Sequence, residues 1–145
     1  MLKSTTCVFI GHSECYGVDK QALEKAILRQ ISLGVTDFLC GGMGGFDWLC
    51  ARRVRQLKTE HPHIQCLLVI PYRTAELKEF APYYDEIIYP DYKSTHAKGL
   101  ILERNRYMID CAGYAVCYVI HSWGGAAKSF QYAQKQGLAM TNLNG

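Results

Sequence analysis

The sequence predicts an α/β fold: a Rossmann-like, doubly wound, mostly parallel sheet with helices on both faces, built as a single domain over residues 1–145. Three observations carry that expectation. Apolar runs of strand length alternate with helix-period patterns along the whole chain. The run QCLLVI at 65–70 is continuously apolar at its centre, as a strand covered on both faces requires. Glycines gather where an apolar run hands over to a helical pattern, above all in FLCGGMGGFDWLC at 38–50. Sheets of this kind bind ligands beyond the carboxyl ends of their strands, near the point where strand order reverses.

The elements follow in order. Residues 5–10 are the first strand. Asp19 is placed as N-cap of a helix over 20–33, where Leu23, Ala26, Ile27, Gln30 and Ile31 recur at three-and-four spacing and Gly34 stops it. Residues 36–40 are the second strand and 46–58 the second helix, with Leu49, Val54 and Leu57 inward and Pro62 beyond its end. The third strand spans 65–70 and Pro71 closes it. Thr74 is read as the cap of a helix over 74–84 with an acidic first turn. A short strand at 86–89, a helix at 96–111, a fifth strand at 114–120, a helix at 128–136 stopped by Gly137, and a last strand at 139–143 complete the chain.

Bulk properties narrow the function. The 145 residues are 49% hydrophobic and 20% charged, which suits a globular core and excludes disorder. A net charge of +3, from 16 basic and 13 acidic residues without a block of like charge, is too mild to mark a nucleic-acid surface. No apolar run approaches the roughly 20 residues of a membrane helix, so no membrane partner is expected. The opening MLKSTTCVFIGH reads as a first strand rather than a signal peptide. Seven cysteines, none in C-x-x-C spacing and four inside strands, read as structural thiols in a reducing, cytoplasmic setting. The five histidines show no metal-ligand spacing, and no cofactor is implied.

Four segments lie just after strands and converge on one edge: Gly11-His12-Ser13, Gly41–Asp47, Pro71-Tyr72-Arg73 and His121–Ala127. The first offers a tight turn with a hydroxyl and a ring. The second places Gly41, Gly42, Gly44 and Gly45 directly before a helix, where bare backbone and free N–H groups suit a phosphate. Neither the dehydrogenase fingerprint nor a P-loop fits: the glycine spacing differs, Pro71-Tyr72-Arg73 replaces the acidic residue, and no G-K-[ST] follows. Asp47 either complements the helix dipole or accepts from a ribose hydroxyl. Arg104 carries a planar fork for phosphate or carboxylate and Asn105 both donates and accepts, although a solvated helix face explains the pair equally well. Gly124-Gly125 repeats the glycine turn after the fifth strand. Trp123 beside it either stacks on a base or caps the core.

With these segments in place, the chain resembles the SLOG superfamily of Rossmann-like domains, in its small YpsA-like branch. The resemblance rests on Gly11-His12, Gly41–Asp47, Ile70-Pro71-Tyr72, Arg104-Asn105 with Tyr107-Met108, and Gly124-Gly125 with Tyr132-Ala133. It implies binding of nucleotides or nucleotide-derived ligands at the glycine turns. LOG-type phosphoribohydrolases and DNA-processing protein A are more distant members. LOG-type enzymes carry P-G-G-x-G-T-x-x-E, whose Glu does the hydrolysis; here the stretch begins at Trp123 and ends at Gln131, whose amide is no general base. Ser13 stands where YpsA-like chains usually have Arg.

The leading expectation is therefore a binding or sensing domain for a nucleotide or nucleotide-derived small molecule. Its phosphates would lie on the N–H groups of 42–45 and 124–126, with Arg104 as counter-charge and Asp47 or Asn105 on a sugar hydroxyl. One alternative is a hydrolase of a nucleotide N-glycosidic or phosphate bond using Asp47, Glu103 or His12. Another is a single-stranded nucleic-acid module using Arg52, Arg53, Arg55 and Lys58 of the second helix. Exposed helices of such a sheet also admit a homo-oligomer.

Overall fold

The computed structural model describes residues 1–144. Six strands form one parallel sheet: β1 (Thr6–Gly11), β2 (Asp37–Cys40), β3 (Gln65–Val69), β4 (Glu86–Ile88), β5 (Tyr114–Tyr118) and β6 (Ala139–Asn142), in the order β4-β3-β2-β1-β5-β6. Five helices join them: α1 (Lys20–Ser32), α2 (Gly45–Lys58), α3 (Leu77–Phe80), α4 (Ala97–Cys111) and α5 (Gly124–Lys135). The chain walks outward from β1 to β4, then returns to lay β5 on the other side of β1. The β1/β5 junction is thus the switch point of a Rossmann-like α/β sheet.

The alternation of each strand builds two cores. Phe9, Phe38, Cys66 and Leu68 face α1 and α2, where Leu23, Ile27, Phe46 and Val54 meet them. Val8, Ile10, Leu67 and Val69 face the opposite way, with Met108 and Ile109 of α4 and Ala133 of α5 in the same cluster. This two-sided burial is what the continuous apolar centre of β3 requires. Cys7, Cys40 and Cys117 are fully buried and every cysteine is a free thiol. The Asp19 carboxylate caps α1 by accepting from the Gln21 and Ala22 N–H groups, and Gly34 ends it.

Gly11 is small because of packing. A Cβ there would stand inside the Phe46 ring, which is 1% exposed beneath it. Gly11→Ala is expected to lower stability by about 1–3 kcal/mol, the usual range for overpacking a core. A urea melt checks this, and an unchanged midpoint refutes the contact.

Three elements differ from the sequence reading. The expected helix over 74–84 shrinks to the single turn of α3 and a 3-10 turn, Ala81–Tyr83. Thr74 does not cap it; the residue before α3 is Glu76, which makes no side-chain cap bond. β5 ends at Tyr118, not at 120, because the Val119 N–H and C=O are both taken by the Asn142 side chain and the Ile120 N–H by His12. α5 begins at Gly124, four residues ahead of its expected start at 128, so the second glycine pair opens the helix rather than forming a turn ahead of it. Among the described residues no helix is long and apolar enough to cross a membrane.

Candidate functional site at the strand switch point

A cavity of about 200 Å³ opens at the β1/β5 switch point, on the α4/α5 face of the sheet. β1 forms its floor, Ile101, Arg104 and Asn105 of α4 one wall, and Gly125, Ala126 and Ser129 of α5 the other. Ser13, Met43 and Asp47 close the remaining side. Of the residues singled out from sequence, Gly11, Ser13, Asp47, Arg104, Asn105 and Gly125 line this cavity. Gly41 and Gly42 line a different cavity, on the far side of the glycine loop. His12, Gly44, Gly45 and Gly124 line neither.

The two glycine turns are not equivalent. The first is closed by the protein's own groups. Its backbone passes through positive φ at Gly42 and Gly44, and the Gly45 N–H donates to the Ser13 carbonyl at 2.8 Å. The Asp47 carboxylate reaches back and accepts from the Met43 N–H at 3.3 Å. A carboxylate therefore stands where the sequence reading puts a phosphate. Burial pushes its pKa up to about 6, against the opposing pull of Arg104 and of the Met43 and Gly41 N–H groups.

Arg104 is committed as well. Only 3% exposed, it donates through Nη1 to the Gly41 carbonyl at 2.7 Å and the Val69 carbonyl at 3.2 Å, and through Nε to Asn105 Oδ1 at 2.8 Å. One guanidinium thus ties the carboxyl ends of β2 and β3 together. Gly41 sits between the two charges: a Cβ on it would lie 3.1 Å from Arg104 Cζ and 3.2 Å from Asp47 Oδ2. Neither a freely solvated helix face nor a free anion fork describes Arg104.

The second turn is open. α5 follows Trp123 with no side chain capping its N-terminus, and nothing lies within 4 Å of a Cβ placed on Gly125. The unsatisfied N–H groups and positive dipole end of a twelve-residue helix therefore border the cavity. The Asn105 oxygen is held by the Arg104 Nε–H, which leaves its amide N–H₂ on the cavity wall.

Above this turn three rings stack. His12 lies on His121 with centroids 3.9 Å apart, and His121 on Trp123 at 4.0 Å. His12 Nε2 accepts from the Ile120 N–H at 3.0 Å, so its role is to hold the loop after β5. Burial and His121 lower its pKa, keeping it in the neutral form that can accept. Trp123 ends the stack with 68% of its surface exposed, so it does not cap the core. Glu103 accepts from the Lys93 and Ser94 N–H groups and does not line the cavity.

Sequence reasoning placed Ala126 at the site but did not single out Ile101 or Ser129. Ser129 was within reach, since it lies one helical turn after Gly125 once α5 is started at the glycines.

Comparison with known proteins agrees with this architecture. The chain belongs to the YpsA family (YspA SLOG family), whose model matches residues 3–138. No curated protein matches it by sequence. Its fold is shared with DNA processing protein A from Helicobacter pylori, at TM-score 0.69 and 18% identity over 95% of this chain and 64% of that one. DNA processing protein A from Streptococcus pneumoniae gives TM-score 0.72 and 14% identity over 95% of this chain and 50% of that one. The chain thus spans between half and two thirds of these proteins.

Proposed function

We propose that this protein binds a nucleotide or nucleotide-derived ligand in the switch-point cavity, with the phosphate on the α5 N-terminus alone rather than shared between two glycine turns. The observation that carries the reading is the asymmetry of those turns: Asp47 and the Ser13 carbonyl take the Met43 and Gly45 N–H groups of the first, while no side chain bonds the start of the second. Ala126 and Gly125 supply backbone N–H groups, Asn105 donates its amide, and Ser129 offers a hydroxyl from the next turn of the helix. Arg104 contributes charge from behind the wall, fixed by the two strand ends it joins. The reading is of binding rather than fast turnover, with Glu103 and His12 both engaged elsewhere.

Thermal shift against AMP, ADP, NAD and ADP-ribose tests the reading, with Gly125→Asp as the separating variant. A carboxylate at that open helix-start position favours the dipole by about 0.3–1 kcal/mol, so the variant should be at least as stable as the parent. It should nonetheless lose the ligand shift, since its charge repels the phosphate. A parent that shifts with none of these ligands, or a variant that keeps the full shift, overturns the reading.

A second reading has one observation behind it. The H. pylori protein is described by its single-stranded DNA binding mode, and Trp123 presents an exposed ring of the kind on which bases stack. Retention of oligodeoxynucleotide that falls steeply with salt and is lost in Trp123→Ala would favour it.

A further inference from the structure

One arm of the Arg104 fork meets no oxygen among the described residues. Nη1 is shared by the Gly41 and Val69 carbonyls and Nε is held by Asn105, whereas Nη2 donates to the Met43 sulfur at 3.4 Å. A guanidinium is a strong charged donor, and a thioether is a weak acceptor. The outer arm of the clamp is therefore poorly matched.

Met43 differs from the methionines inside the fold. Met108 and Met140 pack in the core on the α4/α5 side of the sheet, whereas Met43 belongs to neither core. It is 42% exposed and lines both the switch-point cavity and the cavity on the far side of the glycine loop. Its flanking residues, Gly41, Gly42, Gly44 and Gly45, offer no side chain to cover it. A small oxidant in water thus reaches this residue.

Oxidation of a core methionine forces a polar group among apolar ones. At Met43 no core contact is at stake. A sulfoxide oxygen is also a far better acceptor than sulfur, and the flexible thioether can turn that oxygen toward Nη2.

We propose that Met43 is a peroxide-sensitive modification site whose sulfoxide is captured by Arg104 Nη2, fastening the first glycine loop to α4. A sulfur lone pair attacks one oxygen of hydrogen peroxide, and the S–O bond forms as the O–O bond breaks. The departing hydroxide takes the proton left on the transferred oxygen and leaves as water. Sulfur is oxidised by two electrons and the peroxide is reduced by two. Methionine sulfoxide reductases reverse the change. The modification turns the lip between the two cavities from apolar to polar, whatever ligand either one takes.

The test treats the parent and Met43→Leu with hydrogen peroxide until Met1, itself 55% exposed, is converted. Dithiothreitol then restores reversibly oxidised thiols. Peptide mass mapping should show one added oxygen on Met43 while Met108 remains a thioether. The treatment should raise the melting temperature of the parent by about 2–4 °C relative to its effect on Met43→Leu, the size of one added hydrogen bond in a chain of this length. The cysteines and the other methionines are common to both proteins, so the difference belongs to Met43. Methionine sulfoxide reductase should undo it. Met43→Gln, whose amide oxygen stands in for the sulfoxide oxygen, should melt above Met43→Leu with no oxidant present. A Met43 still reduced once Met1 is converted overturns the proposal. So does a treated parent that melts no higher, relative to Met43→Leu, than before, or equal melting of the Gln and Leu variants.

Discussion

Arg104→Ala is expected to lower stability by about 3–5 kcal/mol, since two buried carbonyls each lose a charged donor at about 1–3 kcal/mol apiece and Asp47 loses a nearby cation. The side chain is nearly inaccessible and holds the Gly41 and Val69 carbonyls, which close β2 and β3. Without it two buried carbonyls lose a donor and Asp47 loses its compensating cation. Urea melts should show a large drop in midpoint with an unchanged slope. Arg104→Lys should recover only part of the loss, because an ammonium cannot span two carbonyls and an amide as the planar fork does. Part of the cost is the uncompensated carboxylate, so Asp47→Asn combined with Arg104→Ala should cost less than the sum of the two single changes. A loss below about 1 kcal/mol, the level of a solvated surface pair, would show that Arg104 is not a clamp.

Asp47 should make the protein less stable as pH rises through the mildly acidic range. Its pKa is about 6 in the folded protein against 3.8 as its ordinary value. Between those values the folded state retains a proton that the unfolded chain has released, so stability falls with increasing pH. A displacement of about two units corresponds to about 3 kcal/mol, fully lost above about pH 7. Asp37, raised by burial, and Asp85, lowered by Lys58 and the Cys66 N–H, add pH dependences of their own. The informative quantity is therefore the difference between the parent and Asp47→Asn. The variant should be the more stable at pH 8, with the difference vanishing near pH 4. The amide still offers an oxygen to the Met43 N–H but carries no charge to desolvate. Phosphate-ligand affinity should rise in the same variant at pH 8, since the cavity loses an anion. Equal pH profiles for the two proteins would mean that the carboxylate is solvated and does not close the first glycine turn.

Much of this protein is legible from local pattern. Period-two and three-and-four spacing locate the sheet and its principal helices, because burial of one face acts on each element separately. The Asp19 cap and the Gly34 stop are local chemistry too, read within four residues. The end of β5 was less legible, because residues distant in the chain set it: Asn142 and His12 take the backbone groups that would have extended the strand. The 74–84 segment shortened for a related reason. Its Leu77 and Phe80 are drawn down onto the α1/α2 core, which a single turn achieves and a longer helix does not need to.

The sequence by itself determined the order of the elements, the parallel sheet and the convergence of the glycine turns on one edge, since each follows from short-range periodicity and from what parallel strands permit. Only the tertiary structure decided which turn is open. Both carry paired glycines before a helix, and nothing local distinguishes them. The difference arises because α4 delivers Arg104 to the ends of β2 and β3, where it anchors beside Asp47. The loop after β1 brings the Ser13 carbonyl to the Gly45 N–H. Among the described residues no side chain bonds the start of α5. Which donors a fold leaves unsatisfied depends on groups far apart in the chain, and the tertiary structure alone brings them together.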